Sequence, residues 1–219
     1  MWTPCGHVDI YPNGGLEMPG CDDTLLESIW IDGLVNGVRN FVACNHHFAV
    51  YMAIDSINSK RPDLGYLCGS WEEFVDGKCT SCGADGGGCA HYGFKAGDYA
   101  LGSTRPEQTM FWMYTRENAP YGKYHHDSKI VMHQRSSDEK GTIYVNMIGM
   151  TGQSDFIEVT SGSVDLNSGE TYERMTAAEH ALGDILRVEF KWIYDYDWYF
   201  PWDWPIFGDP TIELDTYRF

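Results

Sequence analysis

The sequence predicts a disulfide-rich, mixed α/β region over residues 1–115 and an all-β sandwich over residues 116–219. Three observations carry this. All seven cysteines lie between Cys5 and Cys89. The first half mixes loops with stretches of helical periodicity. From about residue 119 the chain becomes a series of alternating apolar segments separated by turn signals such as Asn167-Ser-Gly169 and Gly208-Asp-Pro210.

Composition bounds the function. With 219 residues, 43% of them hydrophobic, the chain can bury a sizeable core in one or two domains. Its formal charge of −17 repels nucleic acid and anionic membranes and favours a neutral partner, or a cation bridging to an anionic one. No apolar run approaches the roughly 20 residues needed to span a bilayer. There is no internal repeat and no low-complexity tract. Met1-Trp2-Thr3-Pro4 lacks the basic and apolar regions of an export signal. Because cysteine use points to an oxidising compartment, the expectation is that the natural N-terminus lies upstream of Met1.

In the first half, Gly6-His-Val-Asp-Ile-Tyr11 alternates as a strand does and ends at the turn Pro12-Asn-Gly-Gly15. Between Cys21 and Cys44, Leu25, Leu26, Ile29, Trp30, Leu34, Val35 and Val38 recur at helical spacing. Periodicity alone makes this an ordinary packed helix. After His46, the residues Phe48, Tyr51, Met52, Asp55 and Ile57 fit a helix with one apolar face that ends before Arg61-Pro62. In the second half, strands are expected over Lys129–His133, Thr142–Ile148, Asp155–Val159, Ile185–Ile193 and Thr211–Leu214, at the intervals of a β-sandwich. Asn118-Ala-Pro120 sits where the boundary should be.

Zinc is the first rival reading of the cysteines, since Cys79-Thr-Ser-Cys82 is followed by Cys89. A single CxxC without a second pair at finger spacing is a weak signal, and short disulfide staples fit better. Seven is an odd number, and the cysteine left over, expected to be Cys5, is then a free thiol or bonds a group outside this chain.

Several segments carry a family resemblance. Gly6-His-Val-Asp-Ile-Tyr-Pro-Asn-Gly-Gly15 with Met18-Pro-Gly-Cys21 resembles the strand and turn leading into the lid of pancreatic-type lipases. Asn40-Phe-Val-Ala-Cys-Asn-His46 is similar to the segment where that family's catalytic histidine follows the lid disulfide. Cys68-Gly-Ser-Trp-Glu-Glu-Phe-Val-Asp-Gly-Lys-Cys79, with Cys82 and Cys89, resembles the next two disulfides, and Ala90-His-Tyr-Gly93 a turn beyond them. The second half resembles the PLAT sandwich that ends these lipases, by order and strand pattern.

The resemblance implies a fold: the C-terminal portion of an α/β-hydrolase domain, with a lid over residues 21–44, followed by a PLAT/C2-like domain. It implies disulfides Cys21–Cys44, Cys68–Cys79 and Cys82–Cys89, with no counterpart for Cys5. It also implies that His46 is the general base of a hydrolase triad, and that Leu25, Leu26, Ile29, Trp30, Leu34 and Val35 belong to the lid. Such a triad runs nucleophile, acid, histidine, with the nucleophile in G-x-S-x-G. No serine here has that setting. Gly152-Gln-Ser-Asp-Phe156 comes nearest and lacks the final glycine. The chain therefore keeps the last member and lacks the first two, and alone it is expected to be inactive. Without the resemblance, His46 or His47 would read as a helix cap or a surface histidine.

Residues 194–207 stand out on physical grounds. Eight aromatics, two prolines and three aspartates lie between two expected strands. Trp198, Tyr199, Phe200, Trp202, Trp204 and Phe207 exceed what one small sandwich can pack beside Phe190, Trp192 and Ile193. Proline prevents the segment from extending the ladder, so it should protrude and place its rings at a lipid–water boundary. The rival is a rigid aromatic mini-core or a dimer patch. Asp195, Asp197 and Asp203 are the only candidates for a cofactor, calcium. The plainer alternative is that they keep the segment soluble.

Three functions follow as expectations. One is part of a secreted lipase hydrolysing acylglycerol esters at an interface, with a colipase-like protein as a further partner. The second is an inactive module binding lipid or protein. The third is a structural secreted homologue of lipases.

Overall fold

The computed structural model describes residues 3–21, 34–60, 64–100, 109–134, 139–195, 212 and 214–218, with backbone alone for 34–42 and for residues 100 and 215. The chain divides into two compact units. One comprises Met1–Phe74 and Lys78–Lys123, the other Val75–Gly77 and Tyr124–Phe219.

The first unit is built on a four-stranded sheet in the order β1-β4-β2-β3, where β1 is Val8–Pro12, β2 Leu64–Leu67, β3 Cys89–His91 and β4 Thr109–Met113. β1 and β4 run parallel, whereas β2 is antiparallel to both β4 and β3. Pro12 costs the ladder little because β1 is an edge strand among the described residues. The chain leaves β1 through Asn13, Gly14 and Gly15, all at left-handed φ of 48°, 75° and 69°. Asparagine and glycine are the residues that adopt this conformation without steric penalty. A Cβ at Gly14 would also press on the Trp71 indole at 3.2 Å.

Neighbouring residues of a strand point to opposite faces, and β4 uses both. Phe111 packs with Tyr99 and Ala90, and Met113 with Phe48, Met52, Met18, Tyr92 and Tyr121. Trp112 points the other way, stacking on Tyr11 at 4.9 Å and donating its indole N–H to the Cys68 carbonyl. Helix α1, Leu34–Asn58, lays Phe48, Met52 and Ser56 on the first of these faces. A short helix, α2 (Trp71–Val75), brings Trp71 and Phe74 against Tyr114.

The second unit contains two antiparallel arrangements. One has the order β10-β6-β7 with β8 also on β6, and the other β11-β5-β9. The strands are β5 Tyr124–Met132, β6 Glu139–Gly149, β7 Ile157–Glu158, β8 Val164–Leu166, β9 Thr171–Ala178, β10 Ile185–Tyr194 and β11 Leu214–Arg218. Alternation puts Ile143, Val145 and Met147 of β6 on one face. One apolar cluster joins Ile143 and Val145 to Ile130 and Met132 of β5, with Trp192 of β10 and Leu214 and Tyr217 of β11 packed on it; a second gathers Met147, Ala178 and Leu182. Side chains from both sheets thus share one core.

Several expectations are corrected. The helix expected after His46 starts at Leu34 and passes through Cys44 and His46 without a break. Its buried stripe is Phe48, Met52 and Ser56, while Tyr51 and Ile57 are exposed. Tertiary contact, not the spacing of large apolar residues, chose the inward face. The strand expected over Asp155–Val159 shrinks to Ile157–Glu158, because Ser154 occupies the preceding positions of β6 with its backbone N–H on Met147 O and its hydroxyl on Met147 N–H. The last strand runs Leu214–Arg218 instead of ending at Leu214. There Tyr217 reaches the Ser128 hydroxyl at 2.9 Å and stacks edge-on against Phe190. Strands β2, β3, β4, β8 and β9 have no counterpart among the expected ones. β2, β3 and β8 are three or four residues long and β4 is buried on both faces, so they lack a clear alternation; β9, Thr171–Ala178, is longer, but its Thr-Tyr-Glu-Arg start shows no apolar alternation.

Candidate functional site

The three disulfides are Cys21–Cys44, Cys68–Cys79 and Cys82–Cys89, the pairs that the resemblance implies, and Cys5 is an exposed free thiol. The zinc reading is thereby excluded for these sulfurs. Cys79 and Cys82 are bound to different partners, and a disulfide sulfur is no thiolate ligand. The same argument applies where Glu73 approaches Cys68 and Cys79. Disulfides of this kind belong to oxidising compartments.

His46 lies in the middle of α1 and is exposed. It therefore caps no helix. Two ties fix the turn of helix that carries it. Cys44, two residues earlier, is bonded to Cys21. Asn45, one residue earlier, accepts the Met18 backbone N–H on Oδ1 at 2.8 Å. Both ties come from the segment after β1, which is itself anchored at Asn13. Its amide donates to the Thr115 hydroxyl, and its Oδ1 accepts the Thr115 N–H at 2.9 Å. Strand, turn and helix are thus held by side chains spanning up to 102 residues of sequence.

Further along α1, Asp55 Oδ2 accepts the Tyr92 hydroxyl at 3.1 Å and the Tyr121 N–H at 3.0 Å. Burial pushes the Tyr121 phenol above its ordinary value, with the Asp55 charge adding to it. Ser56 accepts the Phe94 N–H at 2.9 Å. Gly93 is at φ 65°, and a Cβ there would clash with the Ser56 hydroxyl. This explains a glycine in the Ala90-His-Tyr-Gly93 turn. Neither Asn45 nor the role of Asp55 stands out in the sequence, since both need a long-range partner to become legible.

An exposed imidazole can pass a proton, but it needs a nucleophile and an orienting acid to do acyl transfer. Ser154 is not that nucleophile. It is buried, its hydroxyl donates to the Asp155 carbonyl at 2.8 Å, and it accepts the Met147 N–H at 2.9 Å.

The lid candidates Leu25, Leu26, Ile29 and Trp30 lie outside the described residues, as do the side chains of Leu34 and Val35 on the helix backbone. Trp198, Tyr199, Phe200, Trp202, Trp204, Phe207, Asp197 and Asp203 also lie outside them. The start of the aromatic segment is described. Tyr194 packs edge-on against Trp192 at 5.4 Å. Asp195 accepts the Ser163 hydroxyl at 2.6 Å and pairs with Lys140 at 3.4 Å, while its N–H binds the Lys140 carbonyl. The Ser163 hydroxyl, more than Lys140, holds the Asp195 carboxyl below its usual range. Asp195 acts as a pin between strand ends, with its charge already answered by a lysine.

These features define a class: a disulfide-stapled, mixed α/β unit presenting a histidine from a tethered helix, followed by an antiparallel β unit. Comparison with known proteins is specific. The family model described as Lipase matches residues 1–121. Pancreatic triacylglycerol lipase of Mus musculus is 34% identical over 195 residues, 88% of this chain and 40% of that protein. Pancreatic lipase-related protein 2 of Bos taurus is 32% identical, covering 85% of this chain and 39% of that protein. Lipoprotein lipase of Mus musculus is 30% identical, covering 98% of this chain and 44% of that protein. The chain belongs to the lipase family, of the pancreatic type. It spans about two-fifths of the length of these relatives.

Proposed function

We propose that the chain supplies the histidine and the lipid-contacting parts of a secreted hydrolase of acylglycerol esters. In this reading, residues 1–115 form the C-terminal portion of an α/β-hydrolase domain with a lid over residues 21–44, and residues 116–219 form a PLAT domain. His46 takes the proton of an elbow serine as that serine attacks the ester carbonyl, then returns it to the leaving alcohol. The observation that carries the reading is the double tether beside His46, Cys44 to Cys21 and Asn45 to Met18. A general base must be held to a few tenths of an ångström, and an ordinary surface histidine has no need of such ties.

The second unit would serve the interface. Its two sheets around a shared core support the PLAT assignment. Residues 194–207 would bring their rings to neutral or zwitterionic lipid, and a colipase-like protein is a further partner. Calcium at Asp195, Asp197 and Asp203 is the weaker idea, given the Lys140 pair.

Two experiments test this. A serine-directed phosphonate should leave the isolated 219-residue chain unlabelled, and the chain should hydrolyse no long-chain triglyceride above background. Stoichiometric labelling of any serine in it would refute the assignment of roles. Trp198→Ala/Trp202→Ala/Trp204→Ala should lose co-sedimentation with phosphatidylcholine vesicles. Equal binding by the folded variant would assign these rings to packing or to a protein partner.

A further inference from the structure

The outward face of the sheet β10-β6-β7 carries aromatic and polar side chains that the core does not use. Ile143, Val145 and Met147 fill the core, so alternation turns Tyr144 and Asn146 to the outside. Antiparallel pairing sets Lys191 and Glu189 of β10 beside them, and Glu158 of β7 on the other side of Tyr144. Phe156, one residue before β7, comes level with Asn146 on that side. The side chains meet as this register requires. The Lys191 ammonium lies 5.5 Å from the centre of the Tyr144 ring and 5.9 Å from that of Phe156, which is 43% exposed. Among the described residues the ammonium has no carboxylate within ion-pair distance, whereas Lys129, Lys140 and Arg187 each have one. Asn146, at the corner between the two rings, is only 8% exposed, and its Oδ1 accepts no hydrogen bond from the described residues. A buried carbonyl without a donor is destabilising, and an apolar residue would fill the same position of the strand without that penalty.

We propose that this face binds a neutral glycan, a chain of uncharged pyranose sugars, with Tyr144 and Phe156 as stacking platforms and Asn146 Oδ1 as acceptor of a sugar hydroxyl. Three observations select that class of partner. The rings of Tyr144 and Phe156 offer apolar surface on an open sheet face, and a pyranose presents C–H groups on its faces with hydroxyls around its rim. The charges are balanced: Arg187 and Lys191 stand against Glu158 and Glu189 along the same rows of the register. A hydroxyl donates to the one kind and accepts from the other, and on a chain of net charge −17 a balanced face suits an uncharged ligand. The donor missing at Asn146 is what an O–H supplies. Lys191 is held over the rings by cation–π attraction and by no ion pair among the described residues, so its flexible four-carbon stem can swing aside as the ligand arrives. A lipid acyl chain would leave Asn146 unpaired, and a sulfated glycan would bring its charge against Glu158 and Glu189.

This site is independent of the role of His46. Isothermal titration of the 219-residue chain with neutral hexasaccharides of glucose, mannose, galactose and N-acetylglucosamine tests it, and saturable binding of at least one is expected. Phe156→Ala and Tyr144→Ala should each weaken that binding about tenfold, the worth of one ring contact. Asn146→Leu should abolish it while the thermal midpoint stays at or above that of wild type, because the amide holds no bond within the fold. If Asn146→Leu does not fold, Phe156→Ala, altered at an exposed ring, decides alone. Absence of binding by all four sugars overturns the proposal, as does binding that the folded Phe156→Ala protein retains in full. Tighter binding of a heparin hexasaccharide than of any neutral one would also overturn it, by assigning the face to an anionic partner. So would loss of phosphatidylcholine vesicle binding in Phe156→Ala with sugar binding unchanged, since the ring would then serve lipid.

Discussion

The two units stabilise similar amounts of chain by different means. In the first, residues 68–89 form two short disulfide loops, and the helix bearing His46 is joined to the segment after β1 by one disulfide and one side-chain hydrogen bond. In the second there is no cysteine, and apolar clusters draw on both antiparallel sheets, with Ser128 hydrogen-bonded to Thr176 and Tyr217. Loops such as residues 13–21 have no ladder to hold them and need individual ties. Regular sheets with alternating side chains hold themselves. The proposed chemistry sits in the unit that adds covalent and side-chain ties to its packed sheet, and the proposed lipid contact in the one held by its sheets and apolar packing.

This contrast can be broken in several ways. Reduction of all three disulfides should have the largest effect, a few kcal/mol per bridge. Amide exchange should accelerate across α1 and residues 64–100 and stay unchanged in β5, β6 and β10. Equal acceleration in the second unit would show that the two share one cooperative transition. Ile143→Ala should cost about 2–5 kcal/mol through the cavity it leaves, seen as a lower denaturant midpoint for the second unit alone. Gly93→Ala should cost about 1–3 kcal/mol, because alanine at a left-handed φ also meets Ser56. It should loosen Tyr92 and α1, and a thermal melt matching wild type would show that Ser56 leaves room for a methyl group after all. Asn45→Ala removes one hydrogen bond, worth about 0.5–1.5 kcal/mol, yet it should raise exchange at residues 44–47 more than at 52–58.

The smallest effect is one of pH. Burial depresses the imidazole of His126 on β5 below its ordinary value. The unfolded chain then takes up a proton before the folded one does. This contribution is complete above the unfolded pKa, near 6.5, and is lost as pH falls through the lower folded value. Midpoints for the second unit should therefore decline on mild acidification, and His126→Gln should flatten the decline. Tyr172, pushed up to about 12 chiefly by burial, acts at the other end. Its contribution is present below pH 10 and is lost as pH rises toward 12, and the partial exposure of its ring keeps the effect small.

Residue patterns alone were enough to locate β6 and β10, because Ile143, Val145 and Met147 alternate with polar neighbours on a sheet with one buried face. The family was legible through motifs, because covalent staples and tight turns keep particular residues in place, and the pairing of the six cysteines and the position of His46 behind Cys44 came through that resemblance and not from spacing. The Pro12-Asn-Gly-Gly15 turn is of the same kind, being written by φ preferences. What the tertiary structure alone decided was which of several apolar faces turns inward. Helix α1 offers apolar residues nearly all round from Phe48 to Ile57, so periodicity could not choose between Phe48–Met52–Ser56 and Val50–Ile54–Ile57. Contact with Met113, Tyr92 and Tyr121 made the choice. The roles of Asn45, Asp55 and Asp195 were hidden for a related reason: each is defined by a partner 27 or more residues away, and a polar side chain carries no mark in sequence of the distant group it will satisfy.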